Sequence, residues 1–542
     1  MDEHLPSSLS QYRSLDILGQ DVLHLICDLL SETSPLSLSN LALASQSLRG
    51  FARESQHRVI KLNADREDGK YAQRRLSYMD THGLFSSVRQ LIITSTRRID
   101  EDFVKTVSST VPRMKGLREF HMTPRLIWRD IMAMLESCTE IRLHIHLSTA
   151  DFNLGISEQW LTSLVGCQIL ASLTVTAEYT DAKECLAVTR PLKQIWLSCK
   201  NLRTLAIDID LPSFGCCIYD EPDEYCGFGF VDDEEPTPLE ELSIINYPWG
   251  QNERDYWAHH LDWSRLKRVK FGCRGLGALI VPRARALEEV SFVCEHDWGL
   301  VVDKTQEFEI KLQSVAVPCL DILTIANVPG LSLRLRTLIV HSYEHTEAWK
   351  SLDNGGDESF DRLVELCPLL ETLEIDMHRD GSWPYAKLER LAAGLPRLNE
   401  LSIWFALGRS DALIEPRLTV DVVAEMFILL RQHSRALEKV TIHSGAPSPI
   451  GLGYPTGRAF WPGQMSLTFV CEMAERDDER AAGRFYISCE ELPAWRVRDD
   501  ELQDHITRFK EGSEESFGAS RMLRLAVEGP VLYDEMDEGL YM

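Results

Sequence analysis

The stretch Ser359-Phe-Asp-Arg-Leu-Val-Glu-Leu-Cys367, followed by Pro368 and then by Leu370-Glu-Thr-Leu-Glu-Ile-Asp376, decides how the body of the chain is read. Its first part carries a helical pattern, and proline just after it is a helix stop signal. In its second part Leu373 and Ile375 alternate with polar residues, which is the period of a strand. The unit is therefore helix, short turn, strand. It recurs twice further along the chain. Tyr385-Ala-Lys-Leu-Glu-Arg-Leu-Ala-Ala393 runs into Gly394 and Pro396 just before Leu398, and Val420-Asp-Val-Val-Ala-Glu-Met-Phe-Ile-Leu-Leu430 precedes Leu437.

Working outward, the strand half repeats as Leu-x-x-Leu-x-Leu with aliphatic or aromatic replacements. Copies stand at Leu117-Phe120-Met122, Leu170-Leu173-Val175, Leu202-Leu205-Ile207, Leu239-Leu242-Ile244, Leu266-Val269-Phe271 and Leu287-Val290-Phe292. They continue at Leu335-Leu338-Val340, Leu370-Leu373-Ile375, Leu398-Leu401-Ile403 and Leu437-Val440-Ile442, with an earlier, weaker copy at Val88-Leu91-Ile93. Such units bury their apolar side only against neighbours, so a parallel sheet lined by helices is expected. This resembles a divergent leucine-rich-repeat solenoid. The spacing departs from a regular one: copies over 202–437 lie 21 to 39 residues apart, except for a gap of 48 between Leu287 and Leu335 that Leu320-Leu323-Ile325 could fill. The asparagine usual in the repeat's turn is absent from most copies, so a distorted arc with parallel strands on its concave face is expected.

The N-terminal region reads differently. In Leu18-Gly-Gln-Asp-Val-Leu-His-Leu-Ile-Cys-Asp-Leu-Leu30 the positions Val22, Leu23, Ile26, Leu29 and Leu30 form one wide helical stripe. Ser34 followed by Pro35 suits an N-cap with proline at the first helical position, and Leu38, Leu41, Ala42, Ser45, Leu48 and Ala52 form a second stripe. A few short helices in about 40 residues bury too little surface to stand alone. The two runs resemble the opening and the second half of an F-box, with Gly19 where the family usually has proline and Leu48 where an aromatic is common. The resemblance implies a small all-α module that docks on a Skp-type adaptor held by a cullin. Leu18, Val22, Leu23, Ile26 and Leu30, then Leu38 and Leu41, would contribute to that interface or to the module's own core.

The expected organisation is a flexible stretch over 1–13, the F-box-like domain over 14–55, an irregular α/β solenoid over 56–444 and a C-terminal cap over 445–530. Within the cap, strand-like runs at Met465–Val470 and Phe485–Ser488 suggest a hairpin. An acidic tail over 531–542 is expected to fray. Residues 213–238, with proline, glycine and eight carboxylates, are expected to be a long surface loop, solvated or offering acids and aromatics to a basic partner.

Composition narrows the function. The net charge is -26, from 57 basic and 83 acidic residues, which disfavours nucleic-acid binding. The charge is uneven: residues 1–130 hold 18 Lys+Arg and 16 Asp+Glu (+2), leaving 39 and 67 (-28) for the rest. No run of about 20 apolar residues spans a bilayer. No signal-peptide core follows Met1-Asp2-Glu3-His4, and the 14 cysteines form no framework. A cytoplasmic or nuclear protein with free thiols is expected.

Catalytic signatures are missing: no phosphate-binding Gly-x-x-x-x-Gly-Lys, no Gly-x-Ser-x-Gly elbow, no His-Glu-x-x-His. Cys216, Cys217 and Cys226 lack zinc-ligand spacing. His144 with His146, or His341 with His345, could ligate a metal, but packed or surface histidines are the commoner use. No enzyme activity, cofactor or metal is expected. Function falls to the surface of the sheet, where His341, Glu374, Asp376, His378, Ser402, Trp404, Thr441 and His443 lie between the apolar positions, with Trp404 the natural anchor for a protein target. The expected role is substrate recognition for a Skp–cullin–F-box ubiquitin ligase, with a basic segment suiting the acidic surface. The alternative is a non-ligase interaction scaffold of the same fold.

Overall fold

The computed structural model describes residues 19–64, 66–95, 101–123, 129–136, 138, 140–148, 161–179, 181–210, 227–247, 251–273, 275–293, 297–305 and 311–317. It also describes 325, 327–328, 330–341, 357–379, 381–406, 408–409, 412–413, 416, 418–445, 467–473, 484–489 and 531–534. The chain divides into two compact units, one comprising Met1–Ile209 with Cys226–Thr237, the other Asp210–Tyr225 with Pro238–Met542.

The first unit opens with three helices, α1 (Gln20–Thr33), α2 (Pro35–Ala44) and α3 (Gln46–Gln56). Ser34 ends the first and caps the second: its hydroxyl accepts from the Ser37 amide at 3.4 Å, with Pro35 opening α2. Gly19 caps α1 in extended backbone at φ -61°, a value proline would hold as readily. The helices close on a small core of Cys27, Leu38 and Ala52, against which Leu30, Leu41, Ala42 and Phe51 pack.

Parallel strands follow: β1 (Val59–Asn63), β2 (Gln90–Thr94), β3 (Glu119–Thr123), β4 (Arg142–Ser148) and β5 (Leu170–Glu178), each hydrogen-bonded to the next, and β6 (Thr204–Asp210) beside β5. Helices α4 (Arg66–Thr81), α5 (Glu101–Thr110) and α6 (Arg129–Glu136) separate the first four. The second unit continues the same alternation. Its parallel strands are β7 (Glu241–Ile245), β8 (Arg268–Phe271), β9 (Glu289–Phe292), β10 (Ser314–Val317), β11 (Thr337–Val340), β12 (Thr372–Met377) and β13 (Glu400–Phe405). After a two-residue pair, β14 (Gly408–Arg409) with β15 (Ala412–Leu413), comes β16 (Lys439–Ser444), which is parallel to β13.

The repeat's leucines explain this order. Leu373, Leu401 and Val440 stand in register, as do Ile375, Ile403 and Ile442, and all six are at most 2% exposed. Burying such a side chain stabilises by about 1.5–3 kcal/mol, so each strand's apolar pair outweighs any single polar contact on the other face. Helices Asp357–Leu366, Tyr385–Gly394 and Val420–His433 supply the opposing apolar side through Phe360, Leu363, Leu388, Leu391, Val423 and Phe427. Two of them approach so closely that a Cβ at Gly394 would lie 2.3 Å from a Val364 methyl.

The missing asparagine has a backbone substitute. In most copies the first leucine turns its amide to the carbonyl three residues earlier: Leu117 to Met114, Leu287 to Ala284, Leu370 to Cys367, Leu398 to Leu395. The next residue donates across to the equivalent residue of the preceding repeat. Glu438 N reaches Asn399 O, Asn399 N reaches Glu371 O, and Glu371 N reaches Arg336 O, all at 2.7–2.9 Å. Turn amides are thus satisfied without a side-chain ladder.

Several expectations change. The gap between Leu287 and Leu335 is filled by Leu312-x-x-Val315-x-Val317 on β10, not by Leu320-Leu323-Ile325. Of the latter, 320 and 323 lie outside the described residues, and Ile325 is buried ahead of the turn at Val328 and Leu331. The repeat copies on β1 and β4 escape the leucine pattern because His57 and Glu140, respectively, stand where their first leucine would be. The loop expected over 213–238 is not loose over its described part, 227–238: Phe228 and Phe230 are buried edge-on against Trp196, and Lys193 pairs with Glu234 at 2.7 Å. Residues 213–226 lie outside the described residues. The tail expected to fray contributes β19 (Val531–Asp534), antiparallel to β18 (Arg484–Cys489), which pairs with β17 (Leu467–Met473) as the expected hairpin and places β17 antiparallel on β16. The stretch over 1–13 lies outside the described residues.

Candidate functional site

Of the apolar positions expected at the adaptor face, Leu23 and Leu38 are core residues, 6% and 1% exposed. Ile26, Leu30 and Leu41 are half-buried, and Leu18 lies outside the described residues. Val22 is 45% exposed, and with it stand Leu25 (69%) and Leu29 (59%) on α1 and Leu43 (76%) on α2. Positions 22, 25 and 29 share one helix face. The sequence stripe mixed this outward face with the inward one, because Leu25 was read as off the stripe. The module is held in place by Asp28, which accepts from Ser55 Oγ at 2.9 Å and pairs with Arg58, the residue that leads into β1.

In the second unit four of the residues expected to meet a target, His341, Asp376, Trp404 and His443, form one lateral row. Register places Asp376 beside Trp404 and Trp404 beside His443, and His443 beside Thr468 of β17. His341 follows the last residue of β11, whose Val340 pairs with Ile375. The Trp404 indole lies between two imidazoles, 4.0 Å from His341 and 3.6 Å from His443, at interplanar angles of 19° and 5°. Its Nε1–H donates to Glu374 Oε1 at 2.8 Å. Asp376, 1% exposed, accepts from His341 Nδ1 at 2.6 Å. His443 contacts Ser402 Oγ at 3.1 Å and Thr468 Oγ1 at 2.9 Å. Burial first, and His341 second, push the His443 imidazole down to about 3, so it is neutral at physiological pH.

The structure thus brings together His341, Glu374, Asp376, Ser402, Trp404 and His443. It leaves His378 exposed at the end of β12 and Thr441 one step along from His443. Both faces of the indole are occupied, so Trp404 presents an edge to the outside. Asp376 serves His341 and is closed to a ligand.

The polar side of the first unit carries a second cluster that sequence reading missed. His121 and His144, paired across β3 and β4, stack at 4.1 Å and 6°. The Gln90 amide donates to Glu119 Oε2 at 3.0 Å and to His121 Nε2 at 2.8 Å, while Arg142 donates to Glu119 Oε1 at 2.6 Å. Burial, then His121, pushes His144 down to about 4. The sequence hint was His144 with His146, but His146 is exposed and His144 instead meets His121. His345 lies outside the described residues, as do Cys216, Cys217 and Cys226. Gln90 and Glu119 also line a cleft of about 690 Å³ with Arg58, Lys61, Arg75 and Arg89.

No helix among the described residues is long and apolar enough to cross a membrane. The described cysteines form no disulfide with one another. No family model matches the chain, and no curated protein matches it.

Proposed function

We propose that this chain is the substrate-recognition subunit of a Skp–cullin–F-box type ubiquitin ligase. The observation that carries the reading is the exposure of Val22, Leu25 and Leu29 along one face of α1 and of Leu43 on α2, in a three-helix module whose sequence resembles an F-box. A module this small uses its few inward residues for its own core. Leaving four large aliphatic side chains in water favours a protein surface that covers them. Leu23 and Leu38 act inside the module, and Val22, Leu25, Ile26, Leu29, Leu41 and Leu43 meet the adaptor, through which a cullin is reached. The repeat sheet holds the target. The Glu374–Trp404 pair and the neighbouring exposed His378 offer an acidic, aromatic strip suited to a basic segment. The chain performs no covalent step. It acts by raising the concentration of target lysines near a charged conjugating enzyme, in the cytoplasm or nucleus.

The test is capture of purified full-length chain by a Skp-type adaptor. Wild type is expected to bind at micromolar concentration or tighter, and Leu25→Asp/Leu29→Asp to bind about 100-fold more weakly while keeping its far-ultraviolet circular dichroism, since both side chains point outward. Absence of binding by the wild type, or equal binding by the variant, overturns the ligase reading in favour of an interaction scaffold without a ligase partner.

A further inference from the structure

We infer that Glu119, His121 and His144, with Gln90, form a site for a divalent transition-metal ion of the zinc class on the polar face of the first unit. Ligand atoms of the first three residues lie within 4.8 Å of one another. The Glu119 Oε2 to His121 Nε2 separation is 3.4 Å, close to the roughly 3.3 Å between ligand atoms of a tetrahedral zinc ion bound at about 2.0–2.1 Å. These side chains rise from adjacent parallel strands whose backbones are fixed by the ladder, so binding requires only side-chain rotation, one imidazole leaving the near-parallel stack to aim its nitrogen at the ion.

Three details point to a cation rather than to packing alone. Glu119 Oε2 and His121 Nε2 lie 3.4 Å apart, and the Gln90 NH₂ group contacts both from one side, which makes both of them its acceptors. That group is the positive end of an amide dipole; an ion bound by the two acceptors displaces it, and the amide, swung aside and turned over, offers its carbonyl oxygen as a further ligand. His144 Nε2 is a buried nitrogen without a hydrogen-bond partner among the described residues, and such a group is costly to leave unsatisfied. Arg142 holds Glu119 Oε1, which orients the carboxylate and leaves Oε2 for the ion, as supporting contacts around metal ligands do. Entry is through the cleft that Gln90 and Glu119 help to line. The Arg142 charge weakens the site, so micromolar affinity is expected. The bound ion ties β2, β3 and β4 together.

Cobalt(II) added to the full chain under reducing conditions reports the ligand type. This site predicts a visible d–d band for one ion per chain without a sulfur-to-cobalt charge-transfer band, which separates it from the cysteines. Zinc should displace the cobalt and raise the melting temperature. Glu119→Gln and, separately, His144→Gln should each weaken binding at least tenfold, whereas His443→Gln should not change it. The inference is overturned if no sulfur-free band appears at millimolar cobalt, or if both first-unit variants bind as wild type does. Two variants on different strands guard against a single one that fails to fold.

Discussion

His443 is an imidazole that cannot take a proton without disturbing what surrounds it. It lies under Trp404, between Ser402 and Thr468, with His341 beyond the indole. The carboxylates nearby are already used, Asp376 by His341 and Glu374 by Trp404. In the unfolded chain the ring protonates near its ordinary value of 6.5, and in the folded chain at about 3. Between these values the unfolded state holds more protons. The stabilisation is therefore complete above about pH 6.5 and is lost as pH falls toward 3. Between pH 7 and pH 5 the wild type should lose about 1–2 kcal/mol more stability than His443→Gln, read from urea midpoints at each pH. Equal pH dependence would show that the ring protonates freely. At this scale the sequence showed that His341, Trp404 and His443 share the polar side of their strands. It could not show that they stack, because contact depends on register between strands whose central residues stand tens of positions apart. The Gln90–Glu119–His121–His144 cluster went unseen for the same reason: its members sit on three strands, and the paired histidines in one strand, 144 and 146, drew attention to the wrong partner.

Among elements, helices Asp357–Leu366 and Tyr385–Gly394 pack closely. Alanine normally stabilises a helix relative to glycine by about 1 kcal/mol. At Gly394 the added Cβ would lie 2.3 Å from Val364 Cγ1, so Gly394→Ala should destabilise by about 1–3 kcal/mol instead. Val364→Ala in the same chain should recover part of that loss, and a double-mutant cycle in urea would report coupling of about 1 kcal/mol. Additive losses would mean that the helices move apart freely. The helix–turn–strand unit itself was legible, since period and stop signals agree in the copies that lead to Leu370 and Leu398. Strands β1, β4 and β10 were not. In the first two a polar residue replaces the leading leucine, and in β10 the strand is built from Val315 and Val317 while a run of leucines nearby imitates the pattern.

At the scale of the whole molecule, the parallel alternation in the second unit ends against antiparallel β17, β18 and β19. That cap covers the edge of β16, a row of amides and carbonyls that would otherwise pair with another chain. A chain ended after residue 445 should self-associate despite the strong negative charge of the full protein, and light scattering would show it. A monodisperse monomer would mean that the cap is dispensable for solubility. The hairpin was legible from two alternating runs. The third strand was not, because Val531–Asp534 sits in an acidic segment whose composition suggests fraying. The turn ladder sets a further limit, on how the length of this chain can vary. From β8 onward, each repeat of the second unit is tied to the previous one by an amide at a fixed step before its strand. Residues can therefore be gained or lost on the helix side without altering what the sheet presents, whereas one inserted between Leu398 and Trp404 would work like a frameshift. Every side chain beyond it would change faces, the indole would turn into the core, and Ile403 would take its place in front of His443.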